Sequence, residues 1–151
     1  MKSLKRFTVI GVMTLSCLPL AAQEINPKRA LDNYIMLCRG CHLPDASGVP
    51  GSVPSIKGFA GHFLRVEGGR EFLVQVPGSA NSALNDEQLT ELLNWLLLEF
   101  SKDQLPPDYR LFSVDEVSRL RKDPLVEVVN TRQNLVDAIA ELGFEDPQNQ
   151  Q

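Results

Sequence analysis

Apolar positions in this chain recur at helical intervals. Leu89, Leu92, Leu93, Leu96, Leu97 and Phe100 follow the i, i+3, i+4 spacing of an amphipathic helix. Asn85 and Gln88 before them have the separation of a capping box. Trp95 and Leu98 widen the apolar face, which predicts a core helix packed on more than one side. Upstream, Asn26-Pro27 reads as an N-cap followed by proline at the first helical position. That helix continues through Ala30, Leu31, Tyr34 and Leu37, reaches Cys38 and is expected to end near Gly40. Downstream, Ser113 and Glu116 open a short helix that Pro124 must stop. Leu125, Val128, Val129, Leu135, Val136, Ile139 and Leu142 then trace a further helix, ended by Gly143. No strand-like alternation of useful length and no repeat interrupts this pattern, so the fold class is read as all-α.

The connecting stretches are equally informative. Leu43 to Gly61 holds three prolines and four glycines, a density that predicts a loop held by something other than regular structure. A short helix is expected around Gly69, with Phe72, Leu73 and Val76 on one side and Pro77-Gly78 as its stop. Leu105-Pro106-Pro107-Asp108 breaks the chain, and the tail after Glu145 is polar.

Composition changes the picture mainly at the N-terminus. Lys2, Lys5 and Arg6 precede an apolar stretch from Phe7 to Leu20 and then Ala21-Ala22, the three parts of a secretory signal. That stretch is shorter than the roughly 20 residues of a membrane-spanning helix. The expected organisation is a signal peptide over 1–22, a main domain over 23–101 and a helical extension with a loose tail over 102–151. The expected location is periplasmic or secreted, with no stable membrane span once the signal is removed. The whole chain has 15 basic and 19 acidic residues; without Lys2, Lys5 and Arg6 it keeps 12 basic residues, for a net charge of −7. An acidic chain without a basic run argues against nucleic-acid binding.

Of three cysteines, two remain beyond the signal, and they lie in Cys38-Arg39-Gly40-Cys41-His42. Thiols at i and i+3 stand on one side of a helical turn and can add to the two vinyl groups of a haem. The adjacent His42 then offers its imidazole to the iron as proximal ligand. With three Cys and two His in 151 residues, such a motif arises by chance about once in a thousand. Rival readings fit less well. A redox dithiol wants a strand–helix setting, and zinc wants four ligands that neighbouring Cys41 and His42 could hardly supply together. A disulfide across two residues closes too small a loop to matter. A permanently attached macrocycle also supplies apolar bulk that a domain of roughly 80 residues lacks.

From Asn26 to Phe100 the chain resembles a class I c-type cytochrome domain: a helix leading into Cys38-Cys41-His42, then Pro54-Ser55-Ile56-Lys57-Gly58, then a last helix carrying Trp95. The resemblance implies a cytochrome c-like helical domain around one covalent haem c. In it the Pro54 carbonyl accepts the N–H of His42, Ile56 packs on the haem face, and Trp95 crosses the first helix near Tyr34. Such a hydrogen bond fixes the imidazole tautomer and raises its donor strength. One departure matters. The family draws a methionine to the far side of the iron from the loop before the last helix, and Pro77 to Asn85 contains none. Three options stay open for the sixth position: His62, an open or water-filled site, or a weak ligand such as Asn81 or Tyr109. The extension is expected to pack on the haem domain or to dock a redox enzyme. The implied function is an exported electron carrier that is not an enzyme, serving a redox protein such as a periplasmic dehydrogenase or oxidase. The alternatives are a haem-based ligand-binding or sensor protein, a weak peroxidase with an open sixth position, and a haem subunit of a dehydrogenase complex.

Overall fold

A computed structural model describes residues 24–147; the expected signal peptide, 1–22, lies outside the described residues. The described chain is helical, in the order α1 Pro27–Leu37, α2 Arg39–His42, α3 Gly69–Gln75, α4 Pro77–Ala80, α5 Asp86–Phe100, α6 Val114–Leu120 and α7 Val128–Glu141. Two 3-10 segments, Ala60–Arg65 and Lys102–Gln104, punctuate it.

The cytochrome c-like core is the crossing of α1 and α5. Pro27 opens α1, and the Asn26 side chain accepts the N–H of Arg29. The rings of Tyr34 and Trp95 meet where the helices cross, 5.9 Å apart, with Phe100 against both. α5 starts with the reciprocal Asn85/Gln88 capping box. It is buried continuously from Leu89 to Leu97, polar residues included. Each of those polar groups has a partner, as buried polar atoms must. Thr90 donates to the Asp86 carbonyl, and Glu91 accepts from Arg29 and from the Asn26 N–H. Asn94 pairs with the backbone of Phe112.

Three boundaries differ from the periodicity reading. α1 stops at Leu37, because the chain bends at Cys38 (φ −119°) and rewinds as the single turn α2. The expected loop after Val76 begins with one helical turn, α4. α7 begins at Val128, since the Leu125 N–H is spent on the Gln75 carbonyl at the end of α3. Val129 points to solvent, 81% exposed, so it is not part of the buried stripe.

The extension is built into the domain. Phe112, Val117 and Leu120 join the same core as Ala30, Tyr34 and Trp95. Leu135, Val136 and Ile139 of α7 complete a second cluster with Phe59, Phe63 and Phe72. Two arginines tie the parts together. Arg70 holds Glu116 with a two-pronged pair, donates to the Arg110 and Leu111 carbonyls, and lies over the Phe112 ring. Arg121 donates to the carbonyls of Ala80, Ser82 and Leu84 and to the Asp86 carboxylate.

Candidate metal centre

The bend at Cys38 and the turn α2 place Cys38, Cys41 and His42 on one wall of an apolar cleft. Neither cysteine forms a disulfide; Cys38 is half-buried and Cys41 exposed. Burial, and secondarily the neighbouring Cys41, pushes the Cys38 thiol up from its ordinary range.

The glycine- and proline-rich loop after α2 closes on itself and presents one carbonyl to the histidine. The Ile56 and Lys57 N–H groups both donate to the Ala46 carbonyl, and Val49 and Val53 pair as an isolated bridge. Gly48 lies in the left-handed region (φ +69°), where a Cβ would stand 2.3 Å from the Val53 carbonyl oxygen and 2.7 Å from that of Pro54. Only glycine fits there without displacing the loop. With the loop in place, His42 Nδ1 is 3.2 Å from the Pro54 carbonyl oxygen. A carbonyl only accepts, so Nδ1 carries the proton and Nε2 keeps its lone pair. Burial lowers the His42 pKa, partly countered by that hydrogen bond, and this favours the neutral imidazole that binds metals.

The cleft consists of a cavity of about 310 Å³ and an adjoining one of about 170 Å³. They share His42, Ile56, Val76, Gly78, Ser79, Leu93 and Leu96. The smaller end carries Cys38, Cys41, Leu89 and Leu92; the larger carries Phe63, Phe72, Phe112 and Arg132. This lining is chemically suited to a flat apolar macrocycle held at one edge by two thiols and beneath by an imidazole. No group of three or more metal-ligating side chains occurs among the described residues.

Pro54 and Ile56 therefore stand beside His42 on the cleft wall. His62 does not reach it. Its ring stacks on Phe144 at 4.2 Å and meets Phe59 edge-on, and its buried Nδ1 has no partner among the described residues. Burial, then the Arg65 charge, lowers its pKa. Asn81 and Tyr109 line neither cavity, and the Tyr109 hydroxyl faces Asn94. Sequence reasoning missed Phe112, Val128 and Arg132, the extension's share of the wall. One signal was available: Arg132 falls four residues after Val128 and four before Val136, an arginine within an apolar stripe.

No family model matches the chain. Over 106 residues it is 28% identical to a cytochrome c-552 of Thermus thermophilus, covering 58% of this chain and 81% of that protein. A second cytochrome c-552 of Thermus thermophilus is likewise 28% identical over 106 residues, with 72% of its length covered.

Proposed function

We propose that the protein is a c-type cytochrome that carries single electrons. Cys38 and Cys41 bind one haem c through thioether bonds, His42 binds its iron and Pro54 orients His42. The observation that carries this reading is the 3.2 Å approach of His42 Nδ1 to the Pro54 carbonyl in a cleft also lined by both thiols. It leaves Nε2 as the free donor of a neutral imidazole. The similarity to the Thermus cytochromes c-552 supports the same class. When bound, the haem supplies reversible one-electron chemistry at iron. The chain's part is to hold the ring, keep water from most of it, and leave an edge near the surface at the exposed Cys41.

Export to the periplasm or beyond follows from the N-terminal signal pattern, and among the described residues no helix is long and apolar enough to cross a membrane. The net charge of −7 without the signal suits redox partners with a basic docking face, such as a dehydrogenase or oxidase, because opposite charge accelerates encounter.

A second reading, reversible binding of a small ligand at iron, is favoured by the cleft wall. Among the described residues that line it there is no methionine, and His42 is the sole histidine. One experiment tests both. Full-length protein matured in a host competent for cytochrome assembly is analysed by pyridine haemochrome, mass, and reduced spectra with and without carbon monoxide. A thioether-type haemochrome and a mass increased by one haem are expected. A carbon-monoxide-insensitive low-spin spectrum supports the carrier, and a sharp shift supports ligand binding. A colourless chain of unchanged mass overturns both.

A further inference from the structure

We propose that Arg132, steadied by Asp146, is the anchor for a propionate carboxylate of the haem. This rests on the haem reading above and adds a binding residue from the extension.

The two ends of the cleft differ in chemistry. Its thiol end is lined by Cys38, Cys41 and leucines, whereas the opposite end carries Arg132. Among the described residues Arg132 is the one charged side chain on either wall besides the titratable His42. Haem has the matching asymmetry: the vinyl groups that react with thiols leave from one edge of the ring and the two propionates from the other. Thioether bonds at Cys38 and Cys41 therefore turn the carboxylates toward Arg132. A carboxylate entering an apolar cleft needs a compensating charge and hydrogen-bond donors. Guanidinium supplies both in a planar fork.

The environment of Arg132 shows a cation installed with care. It occupies the buried face of α7 between Val128 and Val136, with its side chain 19% exposed. One Nη2 hydrogen bond, 2.5 Å long, goes to Asp146, whose side chain is 1% exposed. A guanidinium has five N–H donors, so this bond sets its orientation and leaves capacity for a second anion. The neighbouring arginines of the domain are committed elsewhere: Arg65 to the Gln104 and Leu105 carbonyls, Arg70 to Glu116 and Arg121 to the Ala80–Asp86 segment.

The test uses full-length holoprotein and two variants of opposite charge effect. Removing the cation in Arg132→Gln disfavours the reduced iron and lowers the midpoint potential. Removing the partner carboxylate in Asp146→Asn leaves the cation uncompensated and raises it. A purely structural role would not produce opposite signs. Contact is read by proton NMR of the wild type, in which the propionate methylenes are expected to show Overhauser effects to Val128 and Arg132. If Arg132→Gln does not accumulate, Arg132→Lys, which keeps charge but loses the fork, should preserve most of the potential while shifting the propionate resonances. Unchanged potentials in both charge variants, or propionate contacts to Leu89 and Leu92 instead, overturn the proposal. Wild-type protein without thioether-bound haem would defeat the function reading itself, a distinct result seen before any variant is made.

Discussion

Asn94 and Phe112 exchange a pair of hydrogen bonds: the Phe112 N–H donates to Asn94 Oδ1 at 2.8 Å, and Asn94 Nδ2 donates to the Phe112 carbonyl at 3.0 Å. A side-chain amide on the central helix thus pairs with an extension residue as a peptide group would. The pair is buried and places the Phe112 ring on the cleft wall. Asn94→Ala would strand both backbone groups away from water. The expected loss of stability is about 3 kcal/mol, read from denaturant unfolding. A loss under about 1 kcal/mol would show that the extension is only loosely attached.

Gly48 controls the histidine at one remove. In Gly48→Ala the new methyl must displace the Val53 and Pro54 carbonyls, in a conformation already unfavourable for alanine. Stability should fall by about 1–3 kcal/mol. On the proposed haem reading, a weaker bond to His42 would make the imidazole a poorer donor and destabilise the oxidised iron. The midpoint potential is therefore expected to rise, measured by redox titration.

Arg121 draws the Ala80, Ser82 and Leu84 carbonyls and the Asp86 carboxylate onto one guanidinium. This clamps the segment facing the cleft through Ser79 and Ser82. In Arg121→Ala, amide hydrogen exchange from residue 79 to 85 should accelerate, while exchange in α1 stays near wild type. Uniform acceleration throughout the chain would instead indicate global destabilisation.

Two carboxylates, the buried Glu91 and the partly buried Glu116, contribute to the acid limit. Burial pushes Glu91 up, but Arg29 and the Asn26 N–H outweigh it, so its pKa lies below the ordinary 4.5. Burial opposes and Arg70 dominates at Glu116 in the same way. The unfolded chain then binds protons more readily in this range, and stability falls as pH falls. The contribution is fully present above about pH 4.5 and disappears as pH drops through the folded values. Glu91→Gln should lower stability at neutral pH and flatten the acid limb of a stability-versus-pH curve.

His62 titrates in the opposite chemical sense but with the same direction. Burial lowers its pKa from 6.5, so protonation favours the unfolded or undocked state. Stability should decline as pH falls below about 6.5 and continue to decline until the folded value is passed. In His62→Gln that part of the pH profile should flatten and the haem spectrum should stay unchanged. A changed spectrum would place His62 at the iron.

Local chemistry was legible before any fold was known. Asn26-Pro27, the Asn85/Gln88 box and the leucine spacing of α5 depend on neighbours within one helical turn, and each appears in the structure. The Cys38-Cys41-His42 cluster is contiguous, and the resemblance already pointed to the carbonyl that His42 meets. The bend at Cys38 was invisible because the apolar period runs on without a break.

Contacts distant in sequence belong to tertiary structure alone. His62 offered a plausible iron ligand by type, yet its ring was claimed by Phe144, far along the chain in the extension. The extension's role was undecided in sequence, because an amphipathic helix shows which face it buries but not what it buries that face against. Folding decided that by bringing Phe112, Val128 and Arg132 to the wall of the cleft. The chain thus wrote out its Cys38-Cys41-His42 cluster and its helices, while long-range packing selected the walls that surround the His42 imidazole.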